Sequence, residues 1–333
     1  MQKVIIYTNP LLGGWSPLDL DTGLGGSEEA VIHLAAALHA EGFEVVVYHT
    51  QTEEKDLSFN GVDYKERTLF ESSEDDILIC FKDKYLWSTN PKAKKKIHWT
   101  TEVEKPWSIL SVDHVVHISE YHRRRNLWIP SNKAEVSYLG VDKSSLQRNQ
   151  CEKFPGLMLY CSSPDRGLET LLLDWPKIYN ANPGLELWIT YGFDIIDQIS
   201  KYSPKTKQFK EHMLSLMNHV GIKFLGKLSK DRMEEAYWKA TYWIHPVNKA
   251  DSELFCLNAI KSRYCKAVPV VNKIGALKET VGNHIPYSDI IKGAALPWWS
   301  SSDDFDFGEQ KVLPRSWKTV VQEDWIPLFE GCS

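Results

Sequence analysis

Short runs of almost uninterrupted apolar residues alternate with amphipathic stretches along nearly the whole chain. "KVIIYT" at Lys3–Thr8 and "FEVVVYHT" at Phe43–Thr50 are too continuously apolar to have one face in water, which predicts parallel strands covered on both sides. Between them "SEEAVIHLAAALHAEG", from Ser27, has helical spacing and is closed by Gly42. Strand, helix and strand predict a right-handed βαβ opening. Further buried strands are predicted at Asp76–Phe81 ("DILICF"), Lys96–Trp99 ("KIHW") and His114–Ser119 ("HVVHIS"), the last running into a helix from Glu120. The polar stretch "KSSLQRNQCEKFPG", after Asp142, reads as a linker. The rhythm then restarts with strand "LMLYCS" at Leu157–Ser162, a helix from about Gly167 and strand "LELWITYG". Helix "TKQFKEHMLSLMNHV", strand "IKFLG", helix "KDRMEEAYWKA" and strand "YWIHPV" follow, and a helix from Glu253 leads to strand "AVPVV" at Ala267–Val271.

This pattern predicts an α/β protein with two Rossmann-like, doubly wound parallel-sheet domains, residues 1–145 and 146–312. The length agrees: 333 residues exceed the roughly 250 at which single cores stop growing. Two such sheets in tandem are expected to face a cleft lined by the carboxyl ends of their strands, so strand-to-helix turns are where chemistry is sought.

Composition narrows the class. A hydrophobic fraction of 43% with 25% charged residues indicates a folded globular chain, and a net charge of -5 argues against a protein built to coat nucleic acid. The basic runs at Lys92–Lys96 and Arg123–Arg125 read as solvated faces, with an acidic ligand or membrane patch as the alternative. Six cysteines without paired metal spacing are expected to be free thiols in a reducing compartment. With no signal-like start and no run of roughly 18 apolar residues, a cytoplasmic location is expected, with peripheral membrane contact left open.

Four turns carry candidate chemistry. In "LGGWSPLDLDTGLGGSEEA", Gly25 and Gly26 precede Ser27, an expected N-cap, so backbone amides there can approach an anion. The plainer reading is a tight turn, and Glu28 and Glu29 would repel a phosphate. Arg166 and Gly167 in "YCSSPDRGLETLL" stand where a strand becomes a helix, and a cation there opposes the helix dipole unless an anion compensates. Lys227, in "FLGKLSKDRMEEA", occupies the analogous turn of a later unit. His98, in "KKIHWTTEVEKPW", ends a strand; a lone histidine in such a place is either a satisfied structural residue or a catalyst. Glu253, in "DSELFCLNAIKSRYC", is expected to begin a helix, with the amides of Phe255, Cys256 and Leu257 beside its carboxylate.

Together these segments resemble the GT-B glycosyltransferases, and the chain is similar to glycosyltransferase family 4, the retaining nucleotide-sugar group. The resemblance rests on "GLGGSEEAVIHLAAALHAEGFEVVVY", "VVHISEYHRR", "VSYLGVD", "SSPDRGLETLL", "FLGKLSKDRMEEAYWKATYWIHP" and "SELFCLNAIKSRYCKAVPVV", in that order. It implies a second domain that holds a UDP- or GDP-linked sugar as donor substrate, and a first domain that takes a glycan, lipid or small-molecule acceptor. It also implies a helical C-terminal segment (about 313–333) crossing back to the first domain. In the family's pattern Arg166 grips the donor diphosphate, with Lys227 helping and Gly25 and Gly26 lining it. Glu253 contacts the donor sugar, Phe255 to Leu257 give backbone contacts, and His98 approaches the sugar near the reacting carbon. No cofactor and no metal are implied, and no side-chain base is assigned.

Two departures stand out. The arginine often found early in the diphosphate loop is Cys161 here. The second glutamate of the Glu-x7-Glu motif, which holds ribose hydroxyls, is Lys261, and an ammonium cannot accept those bonds. Three rival readings follow: a catalytically inactive sugar- or nucleotide-binding module; a metal-dependent GT-A enzyme, prompted by "DLD" at Asp19–Asp21 and "DFD" at Asp304–Asp306; and a nicotinamide-dependent enzyme, which lacks its glycine fingerprint.

Overall fold

The computed structural model describes residues 1–8, 14–51, 56–297 and 305–330. The chain divides into two compact units, one made of residues 1–20, 24–142 and 315–333, the other of residues 21–23 and 143–314.

The first unit is built on an eight-stranded sheet among the described residues. Its strands are β1 (Lys3–Thr8), β2 (Glu44–His49), β3 (Leu57–Phe59), β4 (Val62–Glu66), β5 (Ile77–Phe81), β6 (Lys95–Trp99), β7 (His114–His117) and β8 (Ala134–Val136). They lie in the order β3-β4-β2-β1-β5-β6-β7-β8, parallel throughout except for the β3–β4 hairpin. Helix α1 (Gly26–Ala40) turns Ala30, Val31, Leu34, Ala35 and Leu38 inward, a stripe set by its apolar spacing. One core joins Ile5, Val46, Leu78, Trp87, Val115 and their neighbours.

The last described segment belongs to this unit. Trp317–Val320 is α-helical, Val321–Trp325 forms a π turn and Ile326–Glu330 is α-helical again. The π turn comes just before Pro327, whose ring nitrogen has no hydrogen for the ladder. Trp325 packs edge-on against Trp99 at 5.4 Å, and Phe329 against Phe43 at 5.5 Å. Arg315 donates to both oxygens of Asp324 (2.9 and 2.6 Å), which also accepts from Ser137 at 2.8 Å.

The second unit carries a six-stranded parallel sheet: β9 (Phe154–Tyr160), β10 (Glu186–Ile189), β11 (Ile222–Phe224), β12 (Ala240–His245), β13 (Val268–Val271) and β14 (Ile285–Pro286). Its order, β11-β10-β9-β12-β13-β14, is that of a dinucleotide-binding Rossmann sheet read as 3-2-1-4-5-6, so the direction of winding reverses between β9 and β12. Helix α4 (Leu168–Ala181) buries Leu168, Leu171, Leu172, Trp175 and Ile178 against this sheet.

The stretch expected to be a linker is part of this unit. Helix α3 (Lys143–Arg148) buries Ser145 and Leu146; the Ser145 hydroxyl donates to Glu234 at 2.7 Å, and Trp238 donates to the Leu146 carbonyl at 2.7 Å. The polarity that suggested a linker is spent on these bonds. The cysteines Cys80, Cys151, Cys161, Cys256 and Cys265 are free thiols, and among the described residues no helix is long and apolar enough to cross a membrane.

Candidate functional site

The second unit's site forms at the reversal between β9 and β12. The chain leaves β9 at Tyr160, whose hydroxyl donates to the Ser163 carbonyl at 2.7 Å, and the Arg166 amide donates to the same carbonyl at 3.0 Å. Gly167, at φ +90°, then caps α4. A Cβ built on it would lie 2.9 Å from the carbonyl oxygen of Pro246, so the loop after β9 and the loop after β12 meet at a residue that has none. This close approach sets the Arg166 guanidinium 3.4 Å from Glu253, with Arg166 about one-third exposed and Glu253 almost fully buried. The anion needed to settle a cation at a helix start is therefore supplied by the chain itself.

Glu253 does not begin a helix as expected. It closes a 3-10 turn (Ala250–Ser252) with φ −131°, and the next helix, α8 (Leu257–Tyr264), starts four residues later with Cys256 as N-cap. The dipole explanation for its position is thereby removed. Its carboxylate is held instead by side chains: Oε2 takes a hydrogen bond from His245 Nε2 at 2.8 Å and faces Arg166 Nη1 at 3.4 Å. Phe255 and Cys256 are buried in the turn between Glu253 and Leu257.

His245, Glu253 and Cys256 bring three potential ligand atoms within 4.8 Å of one another. Burial pushes the Cys256 thiol well above its ordinary pKa, and Arg166 already places a positive charge on the same carboxylate. The set is arranged as a thiol beside a histidine–carboxylate pair rather than as a thiolate cage.

The two departures from the family pattern lie close together. The Cys161 thiol is buried and pushed up to about 12, while its carbonyl accepts from Asn258 Nδ2 at 3.0 Å. Asn258 also donates to Ser162 Oγ at 3.4 Å and accepts from the Tyr237 hydroxyl at 2.7 Å, tying α8 to the loop after β9. Lys261 is three residues further along α8, on the same face, and its charge acts on the Cys161 thiol. Lys227, after edge strand β11, points its ammonium at Asp194 4.0 Å away. β11 is two strands from β9, about 10 Å at ordinary spacing, and the structure does not bring Lys227 into contact with Arg166.

In the first unit, His98 is wholly buried in β6 and both ring nitrogens are engaged. Trp87 Nε1 donates to Nδ1 at 3.2 Å, which fixes the tautomer with hydrogen on Nε2, and Nε2 meets Glu104 Oε1 at 2.6 Å. The other Glu104 oxygen accepts from Trp107 Nε1 at 2.5 Å. Burial alone would raise the Glu104 pKa, but these bonds, with the His98 bond foremost, hold it below its ordinary value. While these bonds stand, His98 has no ring nitrogen to offer a ligand.

Gly25 and Gly26 also differ from expectation. The N-cap is Gly25 rather than Ser27, and a Cβ on Gly25 would collide with the Glu28 carboxylate, which folds back over the helix start. Burial raises the Glu28 pKa, with Lys82's charge pulling the other way. The amide end of α1 at Gly25 is thus covered by its own carboxyl group, while the space beside Gly26 is open. Leu12 and Gly13 of that loop lie outside the described residues, as does Asp304 of "DFD". Of the acidic triplets, Asp19 accepts from the Ser16 amide at 2.7 Å and Asp306 from the Gly308 amide at 2.8 Å, both as turn formers.

Sequence reasoning missed His245 and Asn258. The available signal for His245 was a polar residue ending a strand whose other residues are all buried.

No protein-family model matches the chain, and no curated protein does either. Solved structures do match. AviGT4, a glycosyltransferase involved in avilamycin A biosynthesis, aligns with a TM-score of 0.64 at 14% identity over 98% of this chain and 97% of its own. A UDP-forming α,α-trehalose-phosphate synthase from Burkholderia vietnamiensis gives a TM-score of 0.62 at 9% identity over 88% of each chain. A glycosyltransferase from Rickettsia africae ESF-5 gives 0.62 at 15% identity, over 85% of this chain and 82% of its own. At such identities the likeness is one of fold, and the fold of this chain is the GT-B fold of those glycosyltransferases.

Proposed function

We propose that the protein is a glycosyltransferase that moves a sugar from a nucleoside-diphosphate sugar, UDP- or GDP-linked, to a carbohydrate or glycoconjugate acceptor, with retention and without a metal. The observation that carries this reading is the juxtaposition of Arg166 and Glu253 at the winding reversal of a Rossmann sheet. Cleavage of the anomeric C–O bond builds negative charge on the departing diphosphate and positive charge on the sugar. Arg166 would neutralise the leaving group, while Glu253 would accept hydrogen bonds from sugar hydroxyls. With His98 tied into its own hydrogen bonds and no other side-chain base assigned, retention would have the leaving phosphate take the acceptor's proton on the face it departs from. Lys261 beside Cys161 would shift recognition of the ribose end from hydroxyl acceptance to a cation.

The reading is tested by thermal shift with UDP, GDP, UMP, GMP, UDP-glucose and GDP-mannose. A ligand at 100 times its Kd stabilises by about 2.7 kcal/mol, which moves the melting point of a unit this size by roughly 5–10 °C. One diphosphate is expected to stabilise more than its monophosphate, and Arg166→Ala to remove that difference. Equal shifts for both would count against the diphosphate assignment. Lys261 and Cys161 favour a second reading, a binding module that retains the fold without turnover. A nucleotide sugar that stabilises the protein but is neither hydrolysed nor transferred, with no loss of binding on Glu253→Ala, would favour that module.

A further inference from the structure

We infer that His245 is a positioning residue for Glu253, holding one carboxylate oxygen so that the other is left for the sugar and Arg166 is left for the diphosphate. The inference rests on the donor-site reading above. His245 is the last residue of β12, fully buried, with its ring stacked on Trp243 at 5.4 Å and 18°. Its Nε2 donates to Glu253 Oε2 at 2.8 Å. The same oxygen faces Arg166 Nη1 at 3.4 Å, and among the described residues Oε1 takes no hydrogen bond.

An arginine and a carboxylate this close ordinarily close into a two-pronged pair that uses both oxygens and two N–H groups of the guanidinium. That pair would disable the site twice, by removing the acceptor from the sugar and the donors from the phosphate. A hydrogen bond from a ring carried on β12, buried and stacked on Trp243, holds Oε2 and keeps the pair with Arg166 one-pronged. The remaining ring nitrogen, Nδ1, is buried without a partner. A strand otherwise filled by buried side chains gains nothing in packing from a ring with an orphaned nitrogen, so the Nε2 bond is what the histidine offers there.

Three variants separate positioning from mere packing. His245→Gln keeps a donor near the place of Nε2. His245→Asn keeps polarity but does not reach Glu253, and His245→Leu fills the space without a donor. The readout is the ratio of affinities for a nucleotide sugar and its bare nucleoside diphosphate, by calorimetry with UDP-glucose and UDP or GDP-mannose and GDP, whichever pair binds wild type. The preference for the sugar nucleotide is expected to fall about 10- to 100-fold in His245→Leu and His245→Asn, as for loss of a hydrogen bond to a charged group, and to be largely restored in His245→Gln. If His245→Leu does not fold, Asn against Gln makes the same comparison. A ratio unchanged in Asn and Leu while Glu253→Gln abolishes it overturns the positioning role alone. A ratio unchanged in Glu253→Gln as well, or no binding of either pair to wild type, overturns the donor-site reading and this inference with it.

Discussion

Gly167→Ala should damage the second unit out of proportion to the single methyl group it adds. At φ +90° an L side chain is strained, by about 1–2 kcal/mol. The new Cβ would also lie 2.9 Å from the Pro246 carbonyl oxygen and 3.0 Å from its carbon. Both are backbone atoms of the loop after β12, which cannot rotate away as a side-chain tip would, and relief of such crowding typically costs a further 1–3 kcal/mol. A total of about 2–5 kcal/mol corresponds to a fall in melting temperature of roughly 4–20 °C for a unit this size. The control is Gly26→Ala, where a Cβ meets nothing within 4 Å at the first position of a helix; it should be neutral or slightly stabilising. Differential scanning calorimetry of both variants measures the contrast. If Gly167→Ala melts within a degree or so of wild type, the two loops are not in the contact that brings Arg166 to Glu253, and the construction of the site fails with it.

Two further outcomes follow from the first unit. His49 and His117 are buried, and burial holds each near pH 4 against an ordinary value of 6.5, so the unfolded chain binds more protons between those values. Their contribution to stability is therefore complete above about pH 6.5 and shrinks by about 1.4 kcal/mol per histidine for each pH unit below it, close to 2 kcal/mol each at pH 5. Urea midpoints that do not fall between pH 7 and pH 5 would contradict this. Trp325→Ala removes a fully buried ring packed against Trp99 and should cost the first unit about 3–5 kcal/mol in chemical denaturation, whereas a loss below 1 kcal/mol would show that the C-terminal helix is not part of that core.

The central strands were legible because parallel strands buried on both faces leave long apolar runs, as in "DILICF" and "YWIHPV". Edges were harder. The β3–β4 hairpin carries a plain local signal that the apolar runs overshadowed: Asn60 and Gly61, both at positive φ, form a turn between two short strands in the manner of an Asn-Gly hairpin. β14 pairs through only two residues, too few to make a period. In the site, Arg166 and Glu253 could be found because strand ends announce themselves, but their contact depends on Gly167 lying against Pro246, a meeting of residues 79 positions apart. His98 shows the opposite limit. Its place near a strand end was readable, but Trp87 and Glu104, which occupy its nitrogens, lie 11 and 6 residues away in connections whose paths the sequence does not reveal.

The return of residues 315–330 to the first unit has a consequence for the order of events during synthesis. The second unit's main segment, 143–314, is contiguous and can fold as soon as it leaves the ribosome. The first unit, begun earlier, must wait with Trp99 and Phe43 uncovered until the helix that carries Trp325 and Phe329 has emerged. The amino-terminal half of this protein is therefore the last to be finished, and it is during that wait that a nascent chain has most need of a chaperone.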